Sequence, residues 1–142
     1  MMEKVELETA SGPMELILVN PEDDPKGAVI VLQEAFGVTP YLIEVAEQLA
    51  EEGYVAAVPA LFHRQGGRVY AYDDYDSVLG VLAELTAQGL EEDLRATSTA
   101  LANRDFAADE IGAVGFCMGG AVAMYADSLG LVGAAVTFYG GG

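Results

Sequence analysis

The segment "IGAVGFCMGGAVAMYA" (residues 111–126) contains the only cysteine of the chain, Cys117, with glycines on both sides. The apolar run of residues 111–116 predicts a buried strand, and residues 118–128, rich in small side chains, predict a helix. Cys117 is therefore expected at the turn from strand to helix. In an open α/β sheet, ligands bind at the carboxyl ends of the strands, which is the edge where this turn should lie.

The spacing Gly115-x-Cys117-x-Gly119 matches a nucleophile elbow with cysteine in place of serine. Small residues are needed there because the nucleophile has a strained backbone and larger neighbours would collide in the tight turn. The N-terminus of the following helix stabilises a thiolate. Two alternatives are an ordinary buried thiol and a phosphate-binding glycine loop. The second is disfavoured because the chain has neither a G-x-G-x-x-G nor a G-K-[ST] pattern.

A thiol that attacks an ester also needs N–H donors for the oxyanion that develops. In an elbow, the backbone N–H of the next residue, here Met118, faces that oxyanion. A second donor is expected from the loop after the first buried strand, at Ala35 or Phe36.

The rest of the chain alternates predicted strands and helices. A hairpin is predicted for "VELETA" and "MELILVN", with a turn at Gly12 and Pro13. The predicted strands are residues 27–34, 54–62, 111–116 and 133–139, and the predicted helices are residues 39–53, 75–88, 91–104 and 118–128. This alternation predicts one α/β domain over residues 1–142, with a mostly parallel sheet covered by helices on both faces.

The composition limits the classes of partner. Twenty-three acidic residues against six basic ones give a net charge of −17, which disfavours nucleic acid and anionic membranes as partners. The acidity fits either an ordinary acidic surface or adaptation to a salt-rich cytoplasm. A single cysteine excludes an intrachain disulfide, and the N-terminus lacks a signal-peptide core, so a cytoplasmic location is expected. Asp127 divides the uncharged C-terminal tract into pieces shorter than the roughly 20 residues of a spanning helix.

Five segments resemble the dienelactone hydrolase (carboxymethylenebutenolidase) family in sequence and order. They are "VIVLQEAFGV", "LAEEGYVAAVPALFHR", "EEDLRA", "VGFCMGG" and "TFYG". The resemblance implies an α/β-hydrolase fold and a Cys-His-Asp triad that works without a cofactor. It also implies that Cys117 attacks the ester carbonyl of a lactone.

The same resemblance assigns roles to the loop after the first buried strand. Glu34 matches a glutamate that interacts with the thiol and helps to govern its ionisation, and Ala35 and Met118 match the oxyanion-hole donors. Independently of the family, a carboxylate that ends an apolar strand is costly unless it has a partner. The alternative is that Glu34 simply emerges into solvent.

The family's Asp and His follow the elbow after later strands, and neither is found before Gly142. The only histidine, His63, precedes the cysteine, whereas the triad order in this fold is nucleophile, acid, base. His63 is therefore predicted to be a surface or pocket-wall residue. We expect the chain to be the N-terminal part of a longer hydrolase, poorly active alone, whose last strand leaves an open apolar sheet edge.

The substrate contacts depart from the family pattern. Family members that act on dienelactone hold its carboxylate with an arginine on the helix after the second strand, and no arginine occurs between Arg68 and Arg95. Arg64 or Arg68 is the candidate replacement, because either could bind a carboxylate bidentately. Phe36 is a further candidate for substrate contact. The acidic run "YDDYD" (residues 72–76) fits a helix start better than a metal site, so no metal is expected.

The predicted function is hydrolysis of a lactone or activated ester by Cys117. The alternative from another class is a catalytically inactive binding module that pairs with another chain, or with its own copy, through the open sheet edge. A redox-active thiol is a third possibility, and it requires an accessible Cys117 that forms a sulfenic acid.

Overall fold

The computed structural model describes residues 1–138, in which strands and helices alternate in the predicted order. Tyr139, the predicted end of the last strand, lies outside the described residues. The strands are β1 (Met2–Thr9), β2 (Gly12–Val19), β3 (Gly27–Leu32), β4 (Tyr54–Pro59), β5 (Ile111–Phe116) and β6 (Ala134–Phe138). The helices are α1 (Pro40–Glu51), α2 (Tyr75–Glu84), α3 (Ala87–Ala102) and α4 (Met118–Ser128), with short 3₁₀ turns at His63–Gln65 and Ala108–Glu110.

The described strands form one sheet in the order β1-β2-β4-β3-β5-β6. The hairpin β1–β2 is antiparallel and joins β4 in an antiparallel pairing. Strands β4, β3, β5 and β6 are mutually parallel, which confirms the mostly parallel sheet. Because parallel strands end at the same edge, the segments after β3, β4 and β5 meet there.

Side chains alternate between two hydrophobic layers, one on each face of the sheet. In β2, Leu16 and Leu18 join a layer with residues of α3 and α4, whereas Ile17 and Val19 join a layer with residues of α1. This strict alternation is what a strand covered on both faces requires. Helix α1 begins as predicted, because the Thr39 hydroxyl accepts a hydrogen bond from the first turn.

The boundary between α2 and α3 differs from the prediction. Helix α2 ends at Glu84 rather than at residue 88, and α3 begins at Ala87 rather than at residue 91. Leu85 is extended (ψ 138°), and the Thr86 hydroxyl accepts a hydrogen bond from Gly89 N at 3.0 Å. The Thr86 cap therefore starts α3 one turn earlier than the pattern of apolar residues indicated.

The β6 side of the sheet is open in the part of the chain that the structure describes. Val136 and Phe138 are 52% and 48% exposed. A groove of about 1150 Å³ runs beside them over the face that carries α1, and apolar side chains of β3, β5 and β6 line its floor. The lining does not include Cys117 or the loop after β3. No helix within residues 1–138 has both the length and the apolar composition needed to cross a membrane.

Candidate active site

Cys117 lies between β5 and α4, with an exposed side chain and a backbone of φ 56° and ψ −119°. A positive φ is rare for a residue other than glycine and typically costs about 1–3 kcal/mol, so the surrounding structure must hold it. The Cys117 N–H donates to Phe138 O at 2.8 Å, which ties the turn to the end of β6. The strained backbone predicted for the elbow is confirmed, and the alternative of an ordinary buried thiol is wrong.

Glycines beside Cys117 allow the turn to close against the backbone. A Cβ atom on Gly115 would collide with the carbonyl of Gly119, and a Cβ on Gly119 would collide with the carbonyl oxygens of Leu32 and Gln33. The start of α4 therefore rests directly on the end of β3. This close approach brings the elbow beside the loop that follows β3.

The N-terminus of α4 presents backbone donors next to the thiol. Met118 is the first residue of this eleven-residue helix, where no preceding turn offers an acceptor for its N–H. Gly120 N donates to Cys117 O at 2.9 Å, so the first turn is regular. This arrangement leaves the Met118 N–H suited to donate a hydrogen bond to a developing oxyanion.

The loop after β3 carries the other predicted site residues. Ala35 is buried, and Glu34 is half-buried with a backbone carbonyl that accepts a hydrogen bond from Gly37 N at 3.3 Å. Within residues 1–138, no hydrogen bond or ion pair of the Glu34 carboxylate is found. Its influence on the thiol therefore stays a prediction.

The segment after β4 crosses this loop and forms a wall at the same edge. Tyr70 N donates to Phe36 O at 2.9 Å, and the rings of Phe36 and Tyr72 meet edge to face with centroids 4.8 Å apart. The Arg68 guanidinium lies 5.7 Å from the centre of the Tyr70 ring and is otherwise exposed. Phe36 and Arg68 are thus at the edge where substrate contacts were predicted.

Arg64, another predicted substrate contact, lies in a cluster of charged side chains. Its guanidinium binds both carboxylate oxygens of Asp93 at 2.9 and 3.1 Å, and it also binds Glu92 at 3.0 Å and Gly89 O at 3.2 Å. Burial lowers the pKa of Arg64, but the hydrogen bonds and charges of Asp93 and Glu92 outweigh it and raise the pKa overall. These contacts hold the guanidinium against α3, and a contact between Arg64 and a substrate carboxylate stays a prediction.

His63 belongs to the same cluster. Its Nε2 lies 2.9 Å from Asp93 Oδ1, and its side chain is only 7% exposed. The prediction of a surface residue is therefore wrong, and the ring fixes the segment after β4 onto α3. The sequence signal that was missed is Asp93 itself, an acidic residue on the buried stripe of α3 with Gly89 and Thr97.

Among the described residues, no group of three or more His, Cys, Asp or Glu side chains is arranged to hold a metal ion. The features at the sheet edge are instead an exposed thiol, backbone N–H groups and an aromatic wall. These features suit nucleophilic attack on a carbonyl carbon.

Comparison with known proteins shows the family of this chain. The model of the dienelactone hydrolase family matches residues 14–142. The chain belongs to the dienelactone hydrolase family. Among curated relatives of this family member, a carboxymethylenebutenolidase from Pseudomonas sp. (strain P51) is 35% identical over 119 residues, which cover 80% of this chain and 50% of the relative. A carboxymethylenebutenolidase from Pseudomonas putida is 30% identical over 128 residues, which cover 87% of this chain and 54% of the relative.

Solved structures confirm the α/β-hydrolase fold of this dienelactone hydrolase family member. A crystal structure from Klebsiella pneumoniae, named as a candidate dienelactone hydrolase, matches 99% of this chain with a TM-score of 0.85 and 30% identity. The dienelactone hydrolase-like promiscuous phosphotriesterase P91, at 24% identity and a TM-score of 0.75, shows the same fold. The chain covers 60% of each of these structures and about half the length of the curated relatives it matches.

Proposed function

We propose that Cys117 is the nucleophile of a carboxylic ester hydrolase that acts on a lactone or another activated ester. The observation that carries the proposal is the exposed thiol on a positive-φ backbone at the N-terminus of α4. Such a conformation is costly, and strained residues of this kind cluster at catalytic sites. The names of the curated relatives support the same reaction class.

The reaction proceeds in two steps through a thioester. The Cys117 thiolate attacks the ester carbonyl carbon, and the displaced electron pair moves onto the carbonyl oxygen, where the N–H groups of Met118 and Ala35 stabilise it. Collapse of the tetrahedral intermediate breaks the C–O bond and leaves the acyl group on the Cys117 sulfur, and the released alkoxide takes up a proton from water. In a lactone, the resulting hydroxyl remains attached to the acyl chain. Water then attacks the thioester, and the acid and the free thiol are released.

The proton-transfer groups of the family's triad have no counterpart within residues 1–142. The only histidine, His63, uses Nε2 to bind Asp93 on α3. Acylation uses the Cys117 sulfur and the oxyanion donors, whereas hydrolysis of the thioester also needs an activated water. The chain by itself should therefore acylate more slowly than a complete triad would, and it should release its acyl group more slowly still.

p-Nitrophenyl acetate tests this proposal directly. We expect a burst of about one nitrophenolate per chain, followed by a slow steady state, and an acetyl group on the peptide that contains Cys117. Cys117→Ala should abolish the burst while the circular dichroism spectrum stays the same. An equal burst from Cys117→Ala, or acetylation only at lysines, would exclude the proposed nucleophile.

The exposed face of β6 favours one second candidate, a binding module that pairs through its sheet edge. Val136 and Phe138 lie on the last described strand and are about half exposed. This candidate predicts a stable dimer in sedimentation and no acylation of Cys117. Substitution of both residues by lysine should then give monomers, whereas the hydrolase proposal predicts an unchanged burst.

A further inference from the structure

Gln33 is a fully buried polar side chain at the end of β3 that the reaction steps above do not use. Leu61 N, just beyond β4, donates a hydrogen bond to Gln33 Oε1 at 3.0 Å. Because a backbone N–H must face an acceptor, this contact fixes which end of the side-chain amide is the oxygen. The Nε2 end therefore points the other way and donates to Glu34 O at 3.3 Å.

The carbonyl of Glu34 belongs to the same peptide unit as the N–H of Ala35. In a planar trans peptide, the C=O and N–H bonds point in opposite directions, so holding one bond fixes the other. Two donors hold this carbonyl, Gln33 Nε2 and Gly37 N, each at 3.3 Å. These two hydrogen bonds to the Glu34 carbonyl therefore fix the direction of the Ala35 N–H, which points away from them and toward the expected oxyanion.

We propose that Gln33 is a positioning residue that orients the Ala35 N–H of the oxyanion hole. This inference rests on the proposed function, because it assigns Gln33 a part in the attack by Cys117. The start of α4 packs against the carbonyl oxygens of Leu32 and Gln33, so one short backbone segment sets the positions of both N–H donors. The hydrogen bond from Leu61 N, just beyond β4, holds the Gln33 side chain in this position.

A purely structural role is the competing explanation. A buried backbone N–H without a partner is costly, and Gln33 could serve only to satisfy Leu61 N. Gln33→Glu separates the two roles, because the carboxylate keeps an acceptor for Leu61 and loses the donor for Glu34. Gln33→Met removes both contacts with little change in volume.

The experiment compares two reactions of the same thiol in the full chain. Acetylation by p-nitrophenyl acetate passes through an oxyanion, whereas alkylation by iodoacetamide does not. The ratio of the two rates therefore reports the oxyanion hole and cancels changes in thiolate content or access. Removal of one complete oxyanion donor typically costs about 10²–10³-fold, so misorientation of one donor should lower the ratio by at least about tenfold in Gln33→Glu and Gln33→Met.

The pH profile supplies a signature that lost stability does not produce. Burial raises the pKa of a carboxyl group, and the carboxyl introduced by Gln33→Glu could, once protonated, again donate to the Glu34 carbonyl. In Gln33→Glu the ratio should recover as the pH falls, while in Gln33→Met it should stay low. Thr97→Val is the matched control, because it removes another buried hydrogen bond, to Asp93 O at 2.8 Å, away from the elbow.

The outcomes separate the positioning role of Gln33 from the role of Cys117 as the nucleophile. An unchanged ratio in Gln33→Glu, or an equal fall in Thr97→Val, would overturn the positioning role while leaving Cys117 as the nucleophile. No acetylation of the wild-type thiol would overturn the proposed function and the positioning role together. If Gln33→Met does not fold, Gln33→Glu decides alone, because it retains the acceptor that Leu61 needs.

Discussion

The Asp93 carboxylate is expected to contribute more to stability than any exposed charge on α3. It is fully buried, and it binds the Arg64 guanidinium through two oxygens and His63 Nε2 through one. Asp93→Ala would leave Arg64 and His63 without their shared partner, while both side chains stay largely buried. The segment after β4 would then lose its main polar attachment to α3.

The expected loss can be scaled from burial. Removing one partner of a buried ion pair typically costs about 3–5 kcal/mol. Arg64 is one-fifth exposed and keeps Glu92 and Gly89 O as partners, so the lower end of that range applies. We expect a loss of about 3 kcal/mol, which for a chain of this size lowers the melting temperature by roughly 10 °C.

Urea unfolding monitored by circular dichroism measures this loss. Glu91→Gln is the matched control, because it removes an exposed pair with Arg95 on the same helix and should leave the midpoint nearly unchanged. A loss below about 1 kcal/mol in Asp93→Ala would refute the reasoning, since it is the size expected of an exposed pair. An equal loss of stability in Glu91→Gln would refute it as well.

Three further predictions follow from local contacts. Thr39→Ala removes the cap of α1 and should lower the free energy of unfolding by about 1 kcal/mol in urea titrations, with Thr39→Ser close to wild type. Gly119→Ala should abolish thiol acetylation, because its Cβ would collide with carbonyl oxygens at the end of β3; an active variant would contradict the packing of the elbow. Hydrogen bonds from Arg104 and then Asn20 lower the pKa of Glu3, so its contribution is present near neutral pH and is lost as the pH falls through that lowered value. The stability difference between wild type and Glu3→Gln should therefore be about 0.5 kcal/mol at neutral pH and vanish in acid; a constant difference would contradict the pairing.

The sequence predicted the fold well where local patterns and burial agree. Continuous apolar runs identified β3 and β5, and the Gly115-x-Cys117-x-Gly119 spacing predicted a strained turn that the backbone angles confirm. These signals are local, because each depends only on residues that are close to one another in the sequence. The start of α3 was missed because Gly89 is typical of a loop, whereas the Thr86 hydroxyl caps a helix that already includes this glycine.

The cluster of His63, Arg64 and Asp93 could not be predicted from spacing alone. Asp93 lies about thirty positions after the adjacent His63 and Arg64, and only the packing of α3 against the segment after β4 brings the three residues together. The sequence therefore indicated a substrate contact for the arginine but not its ion pairs with α3. An acidic residue on the inward stripe of α3 was the one available clue, because a buried carboxylate requires a cationic partner.

The measurement that tests the role of Cys117 most directly is the intact mass of the protein after brief reaction with a lactone. Opening a lactone at the carbonyl keeps both parts of the substrate on the thiol, so the adduct should equal the whole mass of the lactone. We predict one such adduct per chain, located on Cys117 and absent from Cys117→Ala. An unmodified thiol in a folded chain, or the same adduct in Cys117→Ala, would contradict the assignment of Cys117 as the nucleophile.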